Sequence, residues 1–255
     1  MKKLLIFFFC AGIISTVSAQ KEVSAKTIFD AIDKGQSVNY DGVTITGKLD
    51  LTELSNKQRV KKNRDYEEFK STVEVPVSFK NCTFKDDFIA YKNNEDKRGG
   101  RNWSISMGDG ETYTTDFEKS VIFENCTFEG LSEFKYSDFA EKASFAGTKF
   151  GKEANFKYAD FKRESNFANC TFGEYANFKY SKFKYDADFY SVNFRENADF
   201  KYANFNERVT FKSSTFNNHA DFKYTEFKDS GNFDNTKFKG GIDMKYSNGK
   251  KYMNR

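Results

Sequence analysis

The chain has 255 residues, with 41 Lys and Arg against 37 Asp and Glu and a formal net charge of +4. That balance offers neither the concentrated basic surface that nucleic acid asks for nor the strongly acidic surface of a nucleic-acid mimic. The anomaly is aromatic: 31 Phe and 14 Tyr stand beside one Trp and four Met, where an ordinary core mixes aliphatic shapes.

Lys2 and Lys3 precede an apolar run over 4–14, and Val17 and Ala19 set small side chains just before Gln20. This is the pattern of a cleaved secretory signal over 1–19. A membrane span needs about 20 apolar residues. A lipid anchor on Cys10 would want small residues where Phe7, Phe8 and Phe9 stand. The expectation is export to the periplasm, the cell surface or the medium after cleavage near Ala19-Gln20, with no stable membrane insertion afterwards. Without Lys2 and Lys3, 39 of the 41 basic residues remain against 37 acidic ones, a net charge of +2.

Residues 20–36 predict a capping helix. Ser24 is its N-cap, Val23 and Ile28 form a staple across the first turn, Ile28, Phe29 and Ile32 share one face, and Gly35 stops it. Over 37–88 a first set of extended segments follows, with inward residues Tyr40, Ile45 and Leu51 spaced by 5 and 6. The spacing breaks in a charged insertion near 55–70, which reads as a loop or short helix, and resumes at Val73, Phe79 and Phe84. Residues 89–113 form a second break, read as an insertion loop carrying Trp103 as a candidate contact. In repeat proteins such insertions cluster on one face and often carry binding, although a bare surface loop explains this one equally well.

From 114 to 246 the pattern is unbroken. Phe recurs from 117 to 238 in alternating steps of 6 and 5, and Met244 takes the next position. Residues two before each Phe are small or β-branched, as in Cys126, Thr148, Cys170, Val192, Ser214 and Thr236. Positions i−2 and i point to the same side of an extended segment, so each segment sends one small and one large side chain inward. Phe-Lys-Tyr recurs at 134, 156, 178, 200 and 222, and Met-Lys-Tyr at 244, always at the same interval. Four consecutive steps of 5, 6, 5 and 6 make up that interval, so one coil has four sides. The tail, 247–255, shows no apolar helix to cover the last coil, and an uncovered edge invites a homodimer through the C-terminal coil.

Units such as Ala-Asn-Phe-Lys-Tyr (154–158) and Ala-Asp-Phe-Lys-Arg (159–163) resemble those of the pentapeptide-repeat family. The resemblance covers 115–246 and implies an all-β fold. That fold is a right-handed quadrilateral parallel β-helix with its Phe side chains stacked inside, and the repeat period sets about 22 residues per coil. The extra residue at every second step departs from the family's simplest coil. The family includes inhibitors of DNA gyrase that imitate DNA. The export signal and near-neutral charge speak against that role here.

Cys82, Cys126 and Cys170 fall on one inward column. Cys126 and Cys170 lie two coils apart, about 10 Å by strand spacing, beyond the ~7 Å reach of a disulfide. Cys82 and Cys126 would be neighbours if the second insertion is removed, and parallel stacking favours free thiols. The single His, His219, falls at a corner with no second ligand for a metal. No nucleophile motif, phosphate loop or dinucleotide fingerprint is present, and no cofactor is expected.

The one surface feature that packing does not require is a double column. It comprises Lys135, Lys157, Lys179, Lys201 and Lys223 beside Tyr136, Tyr158, Tyr180, Tyr202 and Tyr224, continued by Lys245 and Tyr246. In a purely structural reading the rings stack, cover the Lys stems, and the ammonium groups pair with Glu133, Asp199, Asp221 and Asp243. In a functional reading the column is an aromatic stripe for an extended ligand, a glycan, a cell-surface polymer or a protein. The expectation is an exported, non-enzymatic scaffold acting through its surface. A polysaccharide-acting β-helix enzyme is the alternative, lacking a distinctive acid/base pair.

Overall fold

The computed structural model describes residues 21–63, 66–93 and 110–253; the expected signal segment and Trp103 lie outside them. The chain winds as a right-handed parallel β-helix of four walls. In chain order, wall 1 holds Val121–Glu124, wall 2 Thr127–Phe128, wall 3 Ser132–Glu133 and wall 4 Asp138–Phe139. Each strand pairs in parallel with its counterpart in the next coil, as Phe117 with Phe139 and Phe128 with Phe150. Inside, Phe rings stack along each wall. Phe156, Phe178 and Phe200 follow one another at centroid distances of 5.0 Å and interplanar angles of 2°. Wall 1 rings meet them edge-on, as Phe167 with Phe178 at 5.2 Å and 87°. Parallel stacks along the axis and T-shaped contacts across it are the two arrangements that an aromatic quadrupole favours, so one residue type fills the whole interior.

The corners alternate. Between walls 1 and 2, and between walls 3 and 4, the chain takes the shorter step and the turn is tight. The carbonyl of the inward Phe then closes the turn on the N–H three residues on, as Phe156 O with Ala159 N at 3.0 Å. At several of these corners a hydroxyl or thiol from the next coil donates to the same carbonyl. Ser181 Oγ reaches Phe156 O at 2.8 Å, Thr225 Oγ1 reaches Phe200 O at 2.7 Å, and Ser214 Oγ reaches Phe189 O at 2.6 Å. Ala159, Val192 and Ala203 fill the small inward position after a tight corner without such a bond; at Ser181, Ser214 and Thr225 that residue is polar and ties successive coils where the main chain has turned away from the ladder. Cys170 does the same through its thiol, 2.9 Å from Phe145 O.

At the N-terminus Lys21–Ser24 adds a strand to wall 2, and the Ser24 side chain caps the helix Ala25–Asp33. Ile28 and Ile32 of that helix are buried in the core. On wall 3 of the second coil the large and small inward residues exchange places. Phe88 takes the register of Ser132, Ala90 stands where later coils have Phe, and the Phe88 ring still stacks on Phe134 at 4.9 Å.

Three expectations are corrected. The charged stretch near 55–70 is neither loop nor helix but a hairpin, Gln58–Asn63 against Tyr66–Val73. Its charges are cross-strand partners, Glu67 accepting Arg59 at 3.3 Å and Lys62 at 3.2 Å. The second insertion leaves and returns through strands too, Tyr91–Asn93 antiparallel to Gly110–Phe117. The C-terminal end is half covered: a 3-10 turn, Asn248–Tyr252, lies where the next wall 4 strand would be. Tyr252 sets its ring edge-on against Phe227 at 6.1 Å and donates its hydroxyl to Asp229 O at 2.7 Å. A tail of polar letters hid this cap because a single buried ring carries it.

Candidate functional site

Both insertions leave the helix at the corner between walls 3 and 4, one coil apart. In all later coils that corner holds the Lys–Tyr pairs. Gly110–Phe117 pairs in parallel with Tyr66–Val73 over its full length, so the excursions fuse into one projecting sheet beside the column. Phe69 and Tyr113 stack on it at 5.0 Å, and Lys57 and Lys92 sit over the Tyr113 ring at 5.1 and 5.0 Å. Tyr91 joins this sheet to the column, its ring tilted against Tyr136 at 5.9 Å.

From Tyr136 the column runs without interruption. Tyr136, Tyr158, Tyr180, Tyr202 and Tyr224 stack at 4.6–4.7 Å, nearly parallel, and Tyr246 follows at 4.8 Å. Every one of these tyrosines has a positive φ, between 57° and 62°. The opposite tight corner has the same backbone but uses Asn125, Gly147, Asn169, Ser191, Ser213 and Asn235. Asn and Gly suit the left-handed region, whereas a side chain such as Tyr costs about 1–2 kcal/mol there. The fold does not ask for Tyr at this corner, and six are held there against a local preference.

The geometry changes the view of the aromatic stripe. Stacked rings cover each other's faces, so the half-exposed tyrosines present edges and hydroxyls to solvent. Only the last, Tyr246, is 65 % exposed. The expected charge pairing across columns is corrected as well. The acidic and amide column before each Phe serves the backbone: Asn155, Asn177, Asp199, Asp221 and Asp243 each accept the N–H of the Lys two residues on, at 2.8–3.2 Å. Lys223 also forms ion pairs in this column, with Asp221 and Asp243, both at 3.4 Å. Lys135 turns to Tyr91 instead, donating to its hydroxyl at 2.8 Å and lying 4.1 Å from its ring centre. Lys157, Lys179 and Lys201 lie over their neighbouring tyrosines at 5.2, 5.4 and 5.4 Å.

A repeating coil of this register, with Phe stacked inside four walls, matches one family model. The model described as Pentapeptide repeats (9 copies) fits 114–160, 134–182, 156–204, 178–225 and 200–248. The chain belongs to the pentapeptide-repeat family. Within it, the Tyr corner is the feature of this pentapeptide-repeat protein that the coil geometry does not account for. No curated protein and no solved structure matches the chain.

The remaining chemistry-bearing residues have structural settings. Cys82, Cys126 and Cys170 are buried free thiols, and Cys82 and Cys126 occupy adjacent coils, since Val77 pairs with Val121. Contact with Cys82, and then burial, raise the Cys126 thiol far above its usual range; burial alone does the same to Cys170. Neither is a nucleophile in that state. His219 is exposed at a corner, and among the described residues no cluster of His, Cys, Asp and Glu could hold a metal. No helix among them is long and apolar enough to cross a membrane.

The tyrosine backbone was the element that sequence reasoning missed. Its signal was present: Asn, Gly and Ser recur two residues after the inward Phe on the opposite tight corner, at the same offset as Tyr.

Proposed function

We propose that this pentapeptide-repeat scaffold is an exported, non-enzymatic binding protein whose ligand site is the Lys–Tyr corner, and that its ligand is a linear polymer of the cell envelope. The observation that carries this reading is the run of six tyrosines at positive φ. Asn or Gly would meet the backbone demand there without strain, and we read the unbroken choice of Tyr as a use outside the fold. The corner repeats at strand spacing and carries a Lys and a Tyr at every coil from 135 to 246, which suits an extended ligand with its own repeat. The projecting sheet stands at one end of the column and gives the track a start.

The test replaces Tyr158, Tyr180 and Tyr202 together by Asn, the residue that the opposite corner uses. The variant keeps the backbone it needs and is expected to retain its unfolding temperature while losing binding on a glycan array. Binding that survives would remove the corner as the site. Export is tested separately, by the N-terminal mass of the protein from its host, expected to begin at Gln20.

A further inference from the structure

Resting on that reading, we infer that the polymer is an acidic polysaccharide, gripped by the ammonium groups of Lys157, Lys179 and Lys201 on three successive coils. These three differ from the rest of their column. Lys135 is engaged by Tyr91, and Lys223 by two carboxylates. Among the described residues Lys157, Lys179 and Lys201 form no ion pair. The side chains one position before each inward Phe are turned to other partners. Asn155 and Asn177 are neutral and spend Oδ1 on the backbone. Asp199 accepts Lys201 N through Oδ1 and the Tyr175 hydroxyl through Oδ2, 2.9 Å away. Three like charges at strand spacing repel one another. Burial, then Lys135 and Lys179, hold Lys157 below the usual lysine range. A row of anions relieves that repulsion.

The neighbouring groups fit the same ligand. The hydroxyls of Tyr158, Tyr180 and Tyr202 have no partner among the described residues and run parallel to the ammonium row. Together they are donors at a fixed repeat, suited to carboxylates and hydroxyls on a stiff sugar chain. A single-stranded nucleic acid needs open ring faces for its bases, and those faces are closed by the stack. A flexible acidic peptide would lose more conformational freedom on being straightened along three coils. The acidic groups beyond each end, Glu133 and the Asp221–Asp243 pair, confine the favourable stretch to a few sugars rather than a long polyanion.

The experiment measures binding of the full chain to polygalacturonate fragments and to the same fragments methyl-esterified, which removes the charge and keeps the sugars. The acid form is expected to bind at least about tenfold more tightly, and to weaken as salt screens the contact. Lys157→Gln, Lys179→Gln and Lys201→Gln combined should abolish that preference, while Lys212→Gln on the opposite tight corner should leave it intact. Equal binding of both forms, lost in the Asn triple variant, would overturn the charge inference and leave the Lys–Tyr corner as a site for neutral glycan. Binding of neither form overturns the inference, and single-stranded DNA displacing polygalacturonate at equal concentration overturns the polymer class. Should the Lys triple variant fold poorly, the ester comparison and the salt series on the unaltered chain decide the matter.

Discussion

Phe178 shows what one residue contributes. It is fully buried, stacked on Phe156 and Phe200 at 5.0 Å, met edge-on by Phe167, Phe189 and Phe172, and tilted against Phe183. With six rings fixed around it the site cannot collapse. Phe178→Ala should cost about 3–5 kcal/mol, read from equilibrium denaturation; a loss below about 1 kcal/mol, on the order of a surface change, would contradict the stacked interior. Thr225→Val keeps the shape and removes the hydroxyl bond to Phe200 O, already bonded by Ala203 N. Its expected cost is smaller, about 1 kcal/mol. The tyrosines add a pH dependence. Burial, then the neighbouring tyrosine hydroxyls, hold Tyr136 and Tyr158 above the ordinary tyrosine range. A folded value raised above the unfolded value of about 10 adds stability that is complete below about pH 10 and is lost as pH climbs through the raised value. Ultraviolet titration of tyrosinate should show a late alkaline phase, diminished in Tyr158→Phe.

At the scale of the element, the tight corner separates what the sequence could tell from what it could not. Phe spacing announced walls, coil length and the inward column because the core repeats one contact in every coil, as the pairing of Phe128 with Phe150 shows. The charged hairpin at 58–73 escaped because its cross-strand salt bridges have no periodic apolar face to declare them. The Lys–Tyr column was visible as letters, whereas its closed ring faces and the different partners of its ammonium groups, Tyr91 for Lys135 and two carboxylates for Lys223, depend on backbone sign and side-chain placement. Tyr180→Asn draws these apart. It relieves a left-handed Tyr, worth about 1–2 kcal/mol, and forfeits two ring contacts, each about 0.5–1.5 kcal/mol. The unfolding free energy should therefore change by between a gain of about 1 kcal/mol and a loss of about 2 kcal/mol; a much larger loss would make the column a structural support.

For the whole molecule, stability is carried from coil to coil, since each strand pairs only with the coils before and after it. The two ends are closed differently, by a capped helix on one side and by Tyr252 on the other. Tyr252→Ala should loosen the last coil alone. Hydrogen exchange is expected to quicken across 226–246 while the strands of 132–200 keep their protection. Uniform loosening of the rod would mean long-range cooperativity that nearest-neighbour contacts do not predict. The 3-10 turn covers the wall 4 side of this end, and among the described residues Lys237–Phe238 and Ile242–Asp243 have no strand beyond them. End-to-end pairing of two copies through those edges is the expected mode of self-association. A monomer mass by light scattering at micromolar concentration counts against it.

The constant register has a further consequence. Because every strand from 121 onward finds its partner at the same offset along the chain, the rod can be cut or extended in whole coils without disturbing any surviving contact. Excising one complete coil from its middle removes one rung from the outer row and one layer from the interior together. The molecule is a ruler with fixed graduations, and its length is set by how many graduations the gene writes.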